Sequence, residues 1–64
     1  MKIEYFEDTD TVQVTFNENS IVDTKDIDEN ILAEFDEKGH LVSITVEHAQ
    51  EHTNLDSFIY QKVS

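Results

Sequence analysis

Apolar and polar residues alternate strictly in two segments of this chain, TVQVTF at residues 11–16 and VSITV at residues 42–46. A period of two places successive side chains on opposite faces of a strand, so each segment is typical of a β-strand with one apolar face. The segments KIEYF at residues 2–6 and NILAEF at residues 30–35 follow a similar pattern. This alternation predicts a chain made mostly of antiparallel sheet.

Polar turn segments divide these strands into two hairpins. EDTD at residues 7–10 separates the first two strands, and DEKG at residues 36–39 ends on the only glycine of the chain, Gly39. A turn that closes on a left-handed residue favours glycine above all, so a second hairpin is predicted around it. Between the hairpins, IVDTKDID at residues 21–28 carries charged residues on its inward face, which fits an edge strand or a strand with a bulge.

The alternation ends after Glu47, and a different spacing follows. Four residues are spaced i, i+3, i+4 and i+7, as on one face of a helix: Leu55, Phe58, Ile59 and Lys62. This spacing predicts a helix, in one or two pieces, between His48 and Lys62. Because FIYQKV at residues 58–63 is rich in aromatic and β-branched residues, a sixth strand is the alternative.

The predicted fold class is α+β. It is an antiparallel β-meander of about five strands, made of two β-hairpins and a connecting strand, with a C-terminal α-helix packed on one face. The length allows a single domain, with the sheet in residues 1–47 and a helical tail in residues 48–64. The residues on the inward side of the predicted strands form the predicted core, and Phe58 or Ile59 of the tail completes it. The strand residues of this core are Ile3, Tyr5, Val12, Val14, Phe16, Ile31, Ala33, Phe35, Val42, Ile44 and Val46.

Charge limits the partners of this chain. Fifteen Asp and Glu residues oppose four Lys and no Arg, which gives a formal net charge of −11. We expect no binding to nucleic acid or to anionic membranes, because phosphate groups are bound by clustered Lys and Arg. A basic protein or a cation is the natural electrostatic complement.

The sequence shows no membrane or targeting segment. No apolar run approaches the roughly 20 residues that cross a membrane, and the N-terminal MKIEYFED lacks the basic and apolar regions of a signal peptide. The chain has no Cys, and therefore no disulfide and no thiolate nucleophile. This composition suits a reducing compartment, so we expect a soluble, cytoplasmic protein.

One short motif resembles a metal site. His48, Glu51 and His52 match H-x-x-E-H, in which two histidines one helical turn apart bind one zinc ion. A catalytic zinc also needs a third protein ligand and a shaped pocket, and a chain of 64 residues has little interior to provide one. We therefore expect no catalysis and no cofactor. Weak binding of zinc or nickel by His48 and His52 is the alternative.

Several apolar residues fall outside the predicted core parity. By alternation, Phe6, Leu32 and Leu41 point to the second face of the sheet. A single-layer sheet with such residues on its open face is typically covered by a second copy or by a partner. In the tail, the predicted partner-binding residues are Leu55, Phe58, Ile59 and Tyr60.

The order of these segments resembles a known bacterial family. MKIEYFEDTDTVQVTF resembles its opening hairpin, in which an M-K-x-x-Y start leads to an acidic turn and an alternating strand. VDTKDIDENILAEFDEKGHLVSITVEHA resembles its centre, with a D-E-x-[IV] step, an F/Y-D-x-x-G turn and an L-V-x-I-x-[IV] strand. Over residues 1–49 the chain therefore resembles DUF2283, a domain of unknown function.

The resemblance implies a small α+β domain with an antiparallel sheet and no assigned catalytic residues. Members of this family are often encoded next to small toxin-like proteins, and some are proposed as antitoxins. This chain departs from the family pattern at Asn30, where many relatives have glycine, in its lack of Arg, and in the tail from Glu51 onward.

Together these features predict a small, acidic, non-catalytic protein-binding module. Its most concrete form is an antitoxin-like neutraliser of a basic ribonuclease-type toxin. Charge would steer it towards a positive cleft, and the tail would supply apolar anchors. A structural homodimer and a weak metal-binding protein that uses His48 and His52 are the alternatives.

Overall fold

A computed structural model of the chain describes residues 1–57 and 59–63, and within them it contains five β-strands and one short helix. The elements are β1 (Lys2–Phe6), β2 (Thr11–Thr15), β3 (Asp23–Asp28), β4 (Ile31–Phe35), β5 (Leu41–Val46) and α1 (Ala49–His52). The predicted α+β fold class, a five-stranded antiparallel sheet followed by a C-terminal helix, is confirmed. Within the same residues, no helix has both the length and the apolar character needed to cross a membrane.

The strands form one antiparallel sheet in the order β1-β2-β5-β4-β3. β5 lies between β2 and β4, so residues 16–22 carry the chain from β2 to the far edge of the sheet. Two backbone hydrogen bonds hold this connection. The Phe16 amide donates to the Val42 carbonyl oxygen at 2.8 Å, and the Val22 amide donates to the Phe35 carbonyl oxygen at 2.9 Å. The strand order is consequently not the sequential one of a simple meander.

The composition of β3 explains its place at an edge. Every residue of its DTKDID sequence is exposed, and its aspartates would be costly between two other strands, where water is excluded. The register of β3 against β4 shifts between Asp26 and Asp28, which leaves Ile27 as a bulge with 62% of its surface exposed. An edge strand and a bulged strand were the two predicted alternatives, and β3 is both.

The register gives the sheet two chemically different faces. Ile3 is opposite Val14, which is itself opposite Ile44, and opposed residues of antiparallel strands point to the same side. We call this side the apolar face, and its members are Ile3, Tyr5, Val12, Val14, Ile31, Ala33, Ile44 and Val46. The other side is the polar face, and it carries Glu4, Gln13, Thr15, Glu34, Ser43 and Thr45.

The core is small and incompletely covered. Val12, Ala33 and Val42 are 8%, 0% and 2% exposed, whereas most other predicted core residues are only half-buried. Ile3 and Phe16 keep 43% and 41% of their surface exposed, so their assignment to the core is wrong. The physical reason is the short helix, which cannot extend over the whole apolar face.

The helix α1 is much shorter than the spacing of apolar residues in the tail predicts. It spans only Ala49–His52, and neither residues 53–57 nor residues 59–63 form a helix or a strand. The predicted helix to Lys62 and the alternative sixth strand are therefore both wrong for the described part of the tail.

Local chemistry ends α1 after one turn. His48 precedes it with a left-handed backbone, φ 53° and ψ 48°, and provides no side-chain cap. Thr53 follows with an extended backbone, and the Asn54 side chain accepts a hydrogen bond from the Asp56 amide at 3.1 Å. Isolated helices below about 12 residues are marginal, so turn-forming polar residues prevail over the apolar spacing here.

Candidate functional site

A groove opens between the apolar face and the C-terminal tail, and we call it the apolar groove. Its volume is about 650 Å³. Four residues of β1 and β2 form one wall and four residues of the tail form the other: Ile3, Tyr5, Val12, Val14, Thr53, Asn54, Leu55 and Ser57. The predicted anchor Leu55 lies here with 37% of its surface exposed. The apolar groove is the candidate functional site, because open apolar concavities are where partners and ligands bind.

The turn between β1 and β2 holds α1 beside the apolar groove. Asp10 in this turn has a left-handed backbone with φ 52°. The Ala49 amide donates to the Asp10 carbonyl oxygen at 2.9 Å, and the Gln50 amide donates to the Asp10 carboxylate at 3.3 Å. Ala49 is fully buried at this contact. The acidic turn therefore determines where the tail starts and along which side of the sheet it runs.

Tyr5 joins this network from the wall of the groove. Its hydroxyl donates to Asp10 Oδ1 at 2.8 Å and accepts from Gln50 Nε2 at 3.2 Å. The hydrogen bond to Asp10 raises the pKa of Tyr5 above its ordinary value of 10.0, and loss of hydration and the negative charges of Asp10 and Glu7 act in the same direction. Tyr5 is thus a neutral hydrogen-bond donor at physiological pH.

Beyond the groove, the tail exposes apolar side chains. Ile59 is 80% exposed and Tyr60 is 72% exposed, while the predicted anchor Phe58 lies outside the described residues. Val63, which is not among the predicted anchors, is 82% exposed as well. The structure therefore places one predicted anchor in the groove and two in solvent further along the chain.

The alternation of the strands places the sheet wall of the groove in the predicted core. Ile3, Tyr5, Val12 and Val14 share inward parity, and parity alone does not show what covers a face. A usable signal was present in the tail, where Thr53 and Asn54 interrupt the apolar pattern. Residues that favour turns at that point predict a helix too short to cover β1 and β2.

The histidine motif forms no coordination group in the described residues. His48 is the left-handed residue before α1, so His48 and His52 do not share a helical face. His52 Nε2 instead lies 3.2 Å from Nδ2 of Asn30. Across residues 1–57 and 59–63, no group of three or more His, Asp or Glu side chains is placed to hold a metal ion. Weak zinc binding by the two histidines stays a prediction, which a zinc titration of wild type and His48→Ala would test.

A buried carboxylate lies on the polar face. Glu34 is only 7% exposed and accepts hydrogen bonds from the Ser43 hydroxyl at 2.6 Å and the Thr45 hydroxyl at 3.2 Å. Its parity places it on the face opposite the predicted core, where the hydroxyls of the neighbouring strand β5 surround its carboxylate. Ser43 is 1% exposed, so these groups link β4 to β5 and do not form an open site.

The carboxylate of Asp36 holds the turn between β4 and β5. It accepts the backbone amides of Lys38 and His40, each at 2.9 Å, and the side-chain amide of Asn19 at 3.0 Å. These hydrogen bonds, above all the one from His40, lower the pKa of Asp36 below its ordinary value of 3.8. Gly39 closes the turn with φ 83°, which confirms the predicted left-handed glycine.

Comparison with known families matches the sheet and the beginning of α1. Residues 2–50 match the model of a family described as a protein of unknown function, DUF2283. The chain belongs to the DUF2283 family. The resemblance seen in the sequence is thus confirmed, and the DUF2283 region includes the sheet wall of the apolar groove but not its tail wall. No curated protein and no solved structure matches the chain.

Proposed function

We propose that this DUF2283 protein is a non-catalytic protein-binding module and that its partner is a basic protein. The observation that supports the proposal most directly is the apolar groove, which is followed along the chain by exposed apolar side chains. Leu55 lies in the groove, and Ile59 and Tyr60 lie beyond it with 80% and 72% of their surfaces exposed. Aromatic and aliphatic anchors of this kind contribute most of the binding energy in protein interfaces.

The charge of the chain supports a basic partner. A net charge of −11 attracts a positive surface over a distance and accelerates encounter with it. Salt screens such an attraction, so binding weakens as the ionic strength rises. A basic protein that presents apolar side chains to the groove satisfies both the charge and the shape of this surface.

The finer form of the proposal is an antitoxin-like neutraliser of a basic ribonuclease-type toxin. Its support is the family, whose members are often encoded next to small toxin-like proteins. An acidic chain would cover the positive cleft that such an enzyme needs to bind RNA. The two proteins would meet in the cytoplasm, which suits a chain without Cys.

Affinity purification from the native host at low salt tests the proposal. The baits are the wild type, the tail variant Ile59→Ser/Tyr60→Ser and the matched control Ile21→Ser/Val22→Ser. The control also replaces two exposed apolar residues, but between β2 and β3. We expect the wild type and the control to recover the same basic protein and the tail variant to lose it.

The recovered protein is then purified and titrated by calorimetry at low and high salt. Weaker binding at high salt, together with inhibition of its RNA cleavage by this chain, supports the finer form. Recovery of acidic proteins alone, or equal recovery by the tail variant, would contradict the proposal.

A further inference from the structure

The two edges of the sheet differ in their protection against pairing with another strand. β3 carries three aspartates and a bulge, which are devices that prevent edge-to-edge association. β1 pairs with β2 in an unbroken register and contains neither a bulge nor a proline. Among residues 1–57 and 59–63, no strand pairs with its outer side, so β1 is a regular edge strand of the described sheet.

We propose that β1 pairs antiparallel with β1 of a second copy of this chain, with Ile3 opposite Ile3 of the second copy. The two sheets then join into one ten-stranded sheet around a two-fold axis. This dimer does not depend on the proposed basic partner, since it uses the edge of β1 and not the tail.

The ladder of β2 shows which backbone groups of β1 point away from β2. The Phe16 amide donates to β5, and every second residue of a strand directs its backbone groups to the same side. Residues 12 and 14 therefore also face β5, and residues 11, 13 and 15 face β1. Their partners in β1 are Phe6, Glu4 and Lys2. The backbone N–H and C=O groups of Ile3 and Tyr5 consequently point outward.

A register centred on Ile3 matches both the outward-pointing backbone groups and the charges. The two Ile3 residues exchange a pair of backbone hydrogen bonds, as directly opposed residues of an antiparallel ladder do. Lys2 of each copy then lies opposite Glu4 of the other, which is a favourable cross-strand pair. Lys2 and Glu4 already share one side of β1, with Nζ 3.5 Å from Oε1.

The neighbouring register, centred on Glu4, is disfavoured. It opposes the two Glu4 carboxylates directly and leaves Lys2 opposite Phe6, so a repulsive pair replaces two attractive ones. Registers displaced by one residue bring the apolar face of one copy beside the polar face of the other. Charge and face together therefore favour the Ile3-centred pairing over these registers.

The exposure of this edge fits the proposed pairing. Met1 is 75% exposed and Ile3 is 43% exposed, and both are apolar. In the dimer, Ile3 contacts its copy across the axis, and Met1 lies opposite Tyr5 of the second copy. Because a two-fold axis perpendicular to the sheet keeps both apolar faces on one side, the two apolar grooves become neighbours on a single surface.

Salt is expected to have opposite effects on the proposed dimer and on binding of the proposed basic partner. Each copy carries a net charge of −11, so long-range repulsion opposes dimerisation and salt relieves it. We expect dimerisation to strengthen with added NaCl, whereas binding of a basic partner weakens. The failure of either proposal therefore leaves the other one testable.

Sedimentation equilibrium from micromolar to millimolar chain concentrations tests the dimer. We expect the mass to rise from 7.4 kDa towards twice that value. Lys2→Glu and Glu4→Lys are each expected to weaken dimerisation about tenfold, because two attractive cross-strand pairs become repulsive. An equimolar mixture of the two variants should restore dimers, since complementary pairs form again.

Matched controls distinguish an effect of the pairing register from an effect of net charge on dimerisation. Lys38→Glu and Glu29→Lys make the same charge changes at exposed turn positions away from β1, and they should leave the dimer nearly unchanged. Glu4→Lys is the sharper variant, because it reduces the net negative charge and would strengthen a dimer formed through any other surface.

Disulfide trapping reads the register directly, because the chain has no Cys of its own. Ile3→Cys should cross-link under mild oxidation, since opposed Cα atoms about 5.5 Å apart lie within the disulfide range. Tyr5→Cys should not, because the two Tyr5 positions are separated by about 13 Å along the strands. A strict monomer at all concentrations, a dimer that neither charge variant weakens, or preferential cross-linking of Tyr5→Cys would overturn the proposal.

Discussion

At the scale of single residues, three carboxylates differ in the hydrogen-bond donors that surround them. Asp10 and Asp36 accept backbone amides in turns, whereas Glu34 accepts two hydroxyls between strands. All three replace hydration with fixed donors, which is the condition for removing a carboxylate from water. Their contributions to stability therefore depend on geometry and on protonation.

Asp36 is expected to stabilise the fold only when it is ionised. Because the pKa of Asp36 is lowered below 3.8, its contribution is complete above that value and is lost as the pH falls through the lowered pKa. We predict that Asp36→Asn is less stable than wild type at neutral pH and that the difference closes in acid. Urea denaturation over a pH series measures this, with Glu37→Gln as the exposed neighbouring control. A difference that persists in strong acid would contradict it.

Tyr5 is expected to show the opposite dependence on pH. The pKa of Tyr5 is raised above 10.0, so its contribution is complete below that pH and is lost as the pH rises through the raised pKa. We predict that Tyr5→Phe is less stable than wild type at neutral pH and that the two converge in alkali. The control is Tyr60→Phe in the exposed tail, which should behave like wild type throughout. If Tyr5→Phe and wild type have the same stability at every pH, the hydrogen bond from the Tyr5 hydroxyl to Asp10 contributes nothing.

At the scale of elements, the strands and turns lie where the sequence pattern predicts them, whereas the helix is much shorter than predicted. β2 and β5 occupy the segments whose alternation is strictest, and Gly39 closes the turn that its position predicts. The tail has apolar residues at helical spacing, yet α1 ends at His52. A strand pattern is reinforced by neighbouring strands on both sides, whereas a short amphipathic helix must find its own surface and caps.

The entry to α1 contains a strained residue that can be tested. His48 has φ 53°, a conformation that costs a residue with a Cβ atom roughly 1–2 kcal/mol relative to glycine. We predict that His48→Gly raises the free energy of unfolding by about 1 kcal/mol, part of the gain being offset by the entropy of glycine in the unfolded chain. Glu51→Gly, within α1, should instead lower it by about 1 kcal/mol. Chemical denaturation measures the free energy of unfolding of both variants. A change of the same sign in both would contradict the explanation that the backbone of His48 is strained.

At the scale of the whole molecule, this is a sheet whose apolar face is only partly covered. The tail covers part of β1 and β2 and leaves the apolar groove between them. A small domain has little buried surface to spare, so an open groove and an unprotected edge both favour association. The net charge of −11 favours a basic partner and opposes a second copy. We propose that the groove and the tail bind a basic partner and that the edge of β1 pairs with a second copy.

Net charge is expected to govern stability as well as association. A charge of −11 on 64 residues makes the folded state repel itself, and the screening length falls from about 10 Å at 0.1 M to about 3 Å at 1 M salt. We predict that NaCl raises the urea midpoint of unfolding at chain concentrations below those of dimerisation. Glu29→Lys, which removes negative charge from an exposed turn, should show a smaller salt effect. A midpoint that does not respond to salt would count against self-repulsion.

The strands, the two hairpins, the irregular or edge character of β3 and the family could all be predicted from the amino-acid sequence. These features are local, because alternation with a period of two, a turn-forming aspartate and a left-handed glycine act within a few residues of each other. The overall charge is likewise a property of the sequence alone. None of these needs knowledge of which distant residues meet.

The place of β5 between β2 and β4, the burial of Glu34 and the opening of the apolar groove could not be predicted from local patterns. Each of these depends on contacts between segments far apart in the chain, such as the one between Asp10 and Ala49. Parity assigns a residue to a face, but what covers that face is decided by where the rest of the chain goes. Here α1 ends early, because the polar residues that follow it form turns with their own neighbours. The strand residues predicted as core therefore line the apolar groove.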